Sequence, residues 1–173
     1  MEVTAAAVKE LRERTGAGVM ECKRALVEAG GNVNKAIEIL HQQGLARAEK
    51  KAGRVAQQGV VDAYIHAGGR IGAMVEVNCE TDFVARTDDF KQLAHDIAMQ
   101  VAATGPKYVS VDEVPADQTD RASELALLAQ PFIKEPGVTI DALIKRYIAK
   151  VGEAIRVRRF ARFELGEDSE ASA

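Results

Sequence analysis

Cysteine is scarce in this sequence. Cys22 and Cys79 are the only two, far apart and in unlike surroundings, so there is no disulfide framework to read and a reducing compartment is implied. Long apolar runs are missing as well: no stretch approaches the roughly 18 apolar residues that a membrane span requires. Basic residues hold no surplus, with 23 Lys and Arg against 26 Asp and Glu and a net charge of −3. That balance argues against a nucleic-acid binder relying on a broad positive field. The opening Met1-Glu2-Val3-Thr4 has neither a basic lead nor an apolar stretch behind it, so no signal peptide is visible and a cytoplasmic location is expected. The chain offers 173 residues, 47% hydrophobic and 28% charged, the content of a soluble globular protein. A chain of this length buries about 70% of its unfolded surface and needs no covalent or metal staple.

The first 53 residues read as a three-helix module and a connecting helix. Ala7, Val8 and Leu11 share one helical face, with Thr4 as its cap. Gly16 and Gly18 interrupt the pattern before Val19, Cys22, Leu26 and Ala29 resume it. Gly30-Gly31 ends that helix, Asn32 caps the next, and Val33, Ala36, Ile37 and Leu40 form its buried face. Gly44 is expected to close the set, and the charged, alanine-rich run from Leu45 to Arg54 to form the connecting helix. Three short helices with tight turns resemble a ubiquitin-associated module, whose thin core commonly serves interaction.

The period then changes. Val61, Ala63 and Ile65 alternate with polar neighbours, Ala67-Gly68-Gly69 turns the chain, and Ile71, Ala73, Val75 and Val77 alternate again, giving a β-hairpin. A three-residue turn would pair His66 with Arg70 and put both apolar sets on one side. Asp88 is read as the cap of a helix carrying Phe90, Leu93, Ala94, Ile97, Ala98 and Val101. Pro106, Pro115, Pro131 and Pro136 mark loops around a helix from Ser123 to Ala129. A further amphipathic helix carries Ile140, Leu143, Ile144, Tyr147, Ile148 and Val151. Ile155, Val157, Ala161, Phe163 and Leu165 make a third strand, and the acidic run from Gly166 a flexible tail. The expected fold class is α+β: a three-helix module and linker over 1–53, a core domain over 54–165 with a small antiparallel three-stranded sheet packed by helices, and a tail over 166–173.

The usual chemical constellations are weak. Cys79 and His66 could suggest a thiol nucleophile with a base, but no third residue orients them, and a structural cysteine is the simpler reading. His41, His66 and His95 are dispersed without ligand spacing, so no metal is expected. Thr15-Gly16-Ala17-Gly18-Val19-Met20-Glu21-Cys22-Lys23 is glycine-rich and enters a helix, yet it lacks the phosphate-loop spacing and a preceding strand. Gly68-Gly69-Arg70-Ile71-Gly72 is a hairpin turn. No cofactor and no direct nucleotide binding are expected. Arg156, Arg158, Arg159 and Arg162 stripe the last strand and support an alternative reading, a ribosome- or RNA-associated binding protein. Val19 falls in the core by its period, while Met20 lies off that face as an exposed apolar contact. Phe83 has two readings: packed under the next helix against Phe90 or Leu93, as most Phe residues are, or presented beside Asp82 as a probe that enters a partner.

The run Glu76-Val77-Asn78-Cys79-Glu80-Thr81-Asp82-Phe83-Val84-Ala85 resembles the core signature of bacterial elongation factor Ts. Leu11-Arg12-Glu13-Arg14-Thr15-Gly16-Ala17-Gly18-Val19-Met20-Glu21-Cys22-Lys23-Arg24-Ala25-Leu26 is similar to the family's N-terminal signature. Lys51-Ala52-Gly53-Arg54, Tyr64-Ile65-His66, Gln130-Pro131-Phe132 and Ile155-Arg156-Val157-Arg158-Arg159-Phe160 follow in the family's order. The resemblance implies a guanine-nucleotide exchange factor, not an enzyme, that promotes GDP release from elongation factor Tu by disrupting its magnesium and phosphate site. It also implies roles for individual residues. Thr81, Asp82 and Phe83 match the turn that enters the GTPase, and Arg12, Val19, Met20 and Lys23 match the docking turn and helix of the N-terminal module. His66 and Ile133 match core positions facing the partner. The chain has room for one α+β unit where longer members carry two, and short members pair two chains, so a homodimer is implied.

Overall fold

Thr4, Gly16, Gly18 and Asn32 set the limits of the helices at the start of the chain. In the computed structural model, which describes residues 3–51 and 53–167, α1 (Ala5–Thr15) begins where the Thr4 hydroxyl accepts from the Ala7 N–H at 3.2 Å. It ends at Gly16, in the left-handed conformation. α2 (Val19–Glu28) starts at Gly18, whose N–H donates to the Glu21 carboxylate at 3.2 Å. α3 (Val33–Lys51) starts at Asn32, whose Oδ1 accepts from the Lys35 N–H at 3.1 Å. Leu11, Cys22, Ala25, Leu26, Ala36 and Leu40 form the core between them. Each buried leucine contributes about 1.5–3 kcal/mol, and alanines fill most of the rest, so this core is thin.

These helices belong to one of two units, Met1–Arg54 with Lys145–Ala154. Two expectations change here. α3 runs through Gly44 without a break, so no separate connecting helix exists. Gly44 serves close approach instead of a stop, since a Cβ there would lie 2.9 Å from the Ala149 Cβ of the same unit. Val19 is exposed; as the first helical residue it stands outside the face that buries Cys22 and Leu26.

The second unit comprises Val55–Ile144 with Ile155–Ala173. β1 (Gln58–Ile65) and β2 (Ile71–Cys79) form the hairpin, followed by α4 (Asp82–Ala85) and the long α5 (Asp88–Thr104). α6 (Ala122–Leu125) sits among short 3-10 turns, and β3 (Pro131–Phe132) pairs with β4 (Glu135–Thr139) as a separate ribbon. α7 (Ile140–Val151) contributes its residues up to Ile144 to this unit, and β5 (Ile155–Glu164) completes an antiparallel sheet of order β1-β2-β5. Phe90, Leu93, Ala94, Ile97, Ala98 and Val101 of α5 are buried, as are Ala73, Val75, Val77 and Cys79 of β2 and Ile155 and Val157 of β5. The three-stranded sheet packed by helices is the expected α+β core.

Its registers differ from expectation. Ile65 pairs with Gly72, and the His66 N–H donates to the Ile71 carbonyl at 2.8 Å. The loop is therefore Ala67–Arg70, one residue longer than read, and an even loop sends the two apolar sets to opposite faces. Val61, Ala63 and Ile65 face outward, while Asp62 and Tyr64 share the side of Val75 and Ala73. β5 carries a bulge: Val77 pairs with Val157 but Glu76 with Arg159, leaving Arg158 as the extra residue. A bulge reverses the alternation beyond it, so Phe163 is 74% exposed while Ile155 and Val157 are buried.

Smaller corrections have local causes. Thr87, not Asp88, caps α5, its hydroxyl accepting from the Phe90 N–H at 3.3 Å. The helix expected over Ser123–Ala129 is one α-turn, Ala122–Leu125, and one 3-10 turn, Leu127–Ala129. Pro131 and Pro136 lie in the β3–β4 ribbon, where a short two-stranded pair tolerates a missing N–H. The expected acidic tail lies from residue 168 onward outside the described residues.

Candidate protein-docking site

β2 delivers the chain into a turn fastened at several points. Cys79 is buried, and its thiol donates to the Thr81 carbonyl at 3.1 Å. The Thr81 hydroxyl caps α4, accepting from the Val84 N–H at 3.5 Å, and the Thr81 carbonyl accepts from the Ala85 N–H at 3.3 Å. Asp82 and Arg86 form an ion pair at 2.9 Å across one helical turn, the favourable i,i+4 spacing. Within this single turn Ala85 points inward and is buried, while Phe83 is 81% exposed. Of the two readings of Phe83, the structure has the presented one: Phe90 and Leu93 are fully buried without it. Gly59 lies opposite Asn78 at the base of the turn, and its φ of 149° leaves no room for a side chain, because a Cβ would sit 2.1 Å from the Val77 carbonyl oxygen.

The remaining candidates are spread out. His66 is exposed at the hairpin loop, its Nδ1 3.0 Å from the Tyr64 hydroxyl. Cys79 and His66 stand at opposite ends of β2, roughly 25 Å apart at about 3.3 Å per residue, so they form no dyad. Asp82 and Phe83 share the Cys79 end. α5 runs back along the sheet: His95 meets Asp62 at 3.3 Å and stacks edge-on to Tyr64. Ile133, 39% exposed, hangs from Gln100 still further along α5. In this unit the exposed candidates are thus spread over the length of β2 and α5 and are not gathered into one pocket.

In the first unit, Arg12, Val19 and Lys23 line one shallow groove of about 400 Å³ together with Val3, Ala5, Val8 and Lys9. Met20 stands beside it, 64% exposed. An apolar floor with three cations at its rim suits an acidic protein surface. Glu21, on another face of α2, feels two opposed influences. Burial pushes its carboxyl up, but the paired Arg47 and the Gly18 N–H outweigh this and hold it below the usual range.

The arginine stripe is largely committed to carboxylates. Arg159 and Arg158 both pair with Glu76, at 2.8 and 3.8 Å. Arg162 bonds Glu164 at 2.6 Å, Glu167 at 3.3 Å and the Ala102 carbonyl at 3.1 Å. Asn78 first of all, then Arg159 and Arg158, hold the Glu76 carboxyl below the usual range. Among the described residues, no three His, Cys, Asp or Glu side chains gather as metal ligands would, and no helix is long and apolar enough to cross a membrane. Two contributors were not anticipated from sequence. Arg86 was signalled only by its opposite charge four residues after Asp82, and the Cys79 thiol tether by nothing in the pattern.

Comparison with known proteins adds to this geometry. A sequence model of the family described as Elongation factor TS matches residues 2–126. Elongation factor Ts of Carboxydothermus hydrogenoformans is 53% identical, covering 95% of this chain and 90% of that protein. The protein of that name from Heliobacterium modesticaldum is 53% identical over 95% of this chain and 91% of its own length. The Synechococcus sp. protein of that name is 51% identical over 98% of this chain, which spans 71% of that longer relative.

Proposed function

This chain belongs to the elongation factor Ts family of translation elongation factors, and on that premise we propose that it is a guanine-nucleotide exchange factor that promotes GDP release from elongation factor Tu. The observation that carries the proposal is Phe83, a large aromatic held 81% exposed on a turn tied down on both sides. Exposed aromatics on rigid supports are the residues that become interface hot spots. Phe83 enters the GTPase beside its magnesium site and Asp82 accompanies it, so that magnesium and phosphate lose their partners and GDP leaves. Thr81 shapes the turn. Arg12, Val19, Met20 and Lys23 dock the N-terminal module on the same partner, and His66 and Ile133 extend the contact along the core.

Exchange of this kind is pure linkage: the factor loosens GDP by the ratio in which GDP loosens the factor. No bond is made or broken, so no acid, base, nucleophile, cofactor or nucleotide site in this chain is required, and the protein is not an enzyme in the bond-making sense. The work takes place in the cytoplasm. A homodimer belongs to the same proposal. Ile65, Met74, Phe163 and Leu165 are exposed together on the outer face of the sheet, and an apolar face of this kind is covered by a second copy in a two-fold arrangement.

The test is release of a fluorescent GDP analogue from elongation factor Tu with unlabelled GDP in excess. Acceleration that rises with this protein and saturates is expected. An unchanged release rate would sink the exchange function.

A further inference from the structure

Helix α5 carries Asp96, Gln100 and Thr104 at intervals of four residues, hence along one side. Gln100 is 0% exposed amid Leu93, Ile97 and Val101, a place where an aliphatic side chain would ordinarily stand. A buried amide is tolerated only when its hydrogen bonds are made, and the Gln100 amide makes its bonds to one segment. Its Nε2 donates to the Gln130 side-chain oxygen at 3.2 Å and to the Pro131 carbonyl at 3.1 Å, and its Oε1 accepts from the Ile133 N–H at 2.9 Å. Thr104 donates to the same Gln130 oxygen at 2.7 Å, and Gln130 in turn donates to the Glu124 carbonyl at 2.6 Å. Lys134 reaches Asp96 at 2.7 Å, and the Phe132 ring is buried.

The segment from Gln130 to Lys134 is therefore fastened at several points, with Phe132 turned inward and the Ile133 side chain left outward between exposed Pro131 and Lys134. A hydrocarbon at position 100 would fill the core without holding Ile133. We infer that Gln100 is a positioning residue whose amide fixes the Gln130–Lys134 segment and so presents Ile133 to the partner. The inference rests on the docking role proposed above for Ile133. It extends the working surface to a residue that touches no partner.

The experiment uses the full chain and its Gln100→Met variant, which keeps the volume and removes the amide. Two readouts separate the inference from the reading beneath it. In the free protein, amide hydrogen exchange at Ile133 should speed up about tenfold or more, while Ile97 and Val101 on α5 keep their protection. In the GDP-release assay, the half-saturating concentration should rise several-fold with the maximal rate intact, and adding Gln100→Met to Ile133→Ala should bring no further rise, as for two changes in one path. Unchanged exchange at Ile133, or a loss spread equally over α5, overturns the positioning role. Faster exchange at Ile133 with unaltered half-saturation in both Gln100→Met and Ile133→Ala overturns the docking role of Ile133 instead. Should Gln100→Met fail to fold, Thr104→Val removes a hydroxyl shared between Gln130 and the Gln100 backbone carbonyl and leaves the Gln100 amide in place; a smaller effect of the same kind supports the inference, and none at Ile133 overturns it.

Discussion

Replacing Phe83 by alanine separates docking from folding. The ring is 81% exposed in the free protein, so its removal should change stability by no more than about 0.5 kcal/mol, as for other surface substitutions. Docking is another matter. Full burial of a phenylalanine is worth about 1.5–3 kcal/mol, and some four-fifths of that remains to be gained on contact, roughly 1.2–2.4 kcal/mol. This corresponds to about an eightfold to sixtyfold rise in the concentration needed for half-maximal GDP release. The assay follows the fluorescent GDP analogue on elongation factor Tu against a titration of each protein, with a urea melt of each alongside. A half-saturating concentration within a factor of about two of the parent would refute the assignment of Phe83 as anchor. A stability loss above about 2 kcal/mol would refute the premise of exposure, because only a packed ring costs that much.

Three further outcomes follow from the same geometry. Gly59→Ala should lower the urea midpoint by the equivalent of about 1–3 kcal/mol, since the new Cβ meets the Val77 carbonyl, a backbone atom that cannot swing aside. Glu76 binds fewer protons folded than unfolded between its depressed folded value and the usual 4.5; its contribution is full above that pH and is lost as pH falls through the folded value. Urea midpoints measured from pH 6 down to about pH 3 should then fall less steeply in Glu76→Gln than in the parent. Phe163→Glu places a charge on the exposed outer sheet face and should yield a folded monomer in sedimentation equilibrium, with the helical circular-dichroism signal of the parent; a dimer of undiminished affinity would refute that face as the contact.

The helical half of the fold was legible because its signals are local. Thr4, Asn32 and the glycine pairs act within one turn of the helices they limit, and α5 and α7 advertise themselves by period. The sheet was harder, for reasons that lie outside any single strand. One extra residue in the loop after His66 turns Val61, Ala63 and Ile65 outward, and one bulge at Arg158 turns Phe163 outward with them. Alternation tells which residues share a side but not which side is covered. Gly44 misled because a glycine in a helix reads as a stop, while here it admits Ala149 of its own unit. The exposure of Phe83 was legible as one of two readings, since pattern alone favours a phenylalanine inside and the resemblance favoured the presented one. Gln100 was not legible at all: a glutamine on a helix reads as solvated until the segment it holds is seen.

The two halves of the proposed site in the core domain solve the same physical problem in different ways. An exposed apolar side chain contributes to binding only to the extent that it does not have to be ordered on contact, since each immobilised rotamer-rich side chain costs about 0.5–1.5 kcal/mol. At Phe83 the backbone is fixed by a cap, a thiol and an ion pair within one turn, and the side chain itself has few rotamers. At Ile133 the segment has no helix or long strand to stiffen it, and the order comes from amides and carboxylates on α5. α5 starts directly after the Phe83 turn, at the Thr87 cap, and carries Asp96, Gln100 and Thr104 further along. One rigid helix thereby sets the spacing between the two contacts, about 18 Å from Asp88 to Gln100 at 1.5 Å per residue. Under the proposed exchange role, a partner that changes shape as it releases GDP would meet a gauge of fixed length, and the partner's conformation would give way before the factor's.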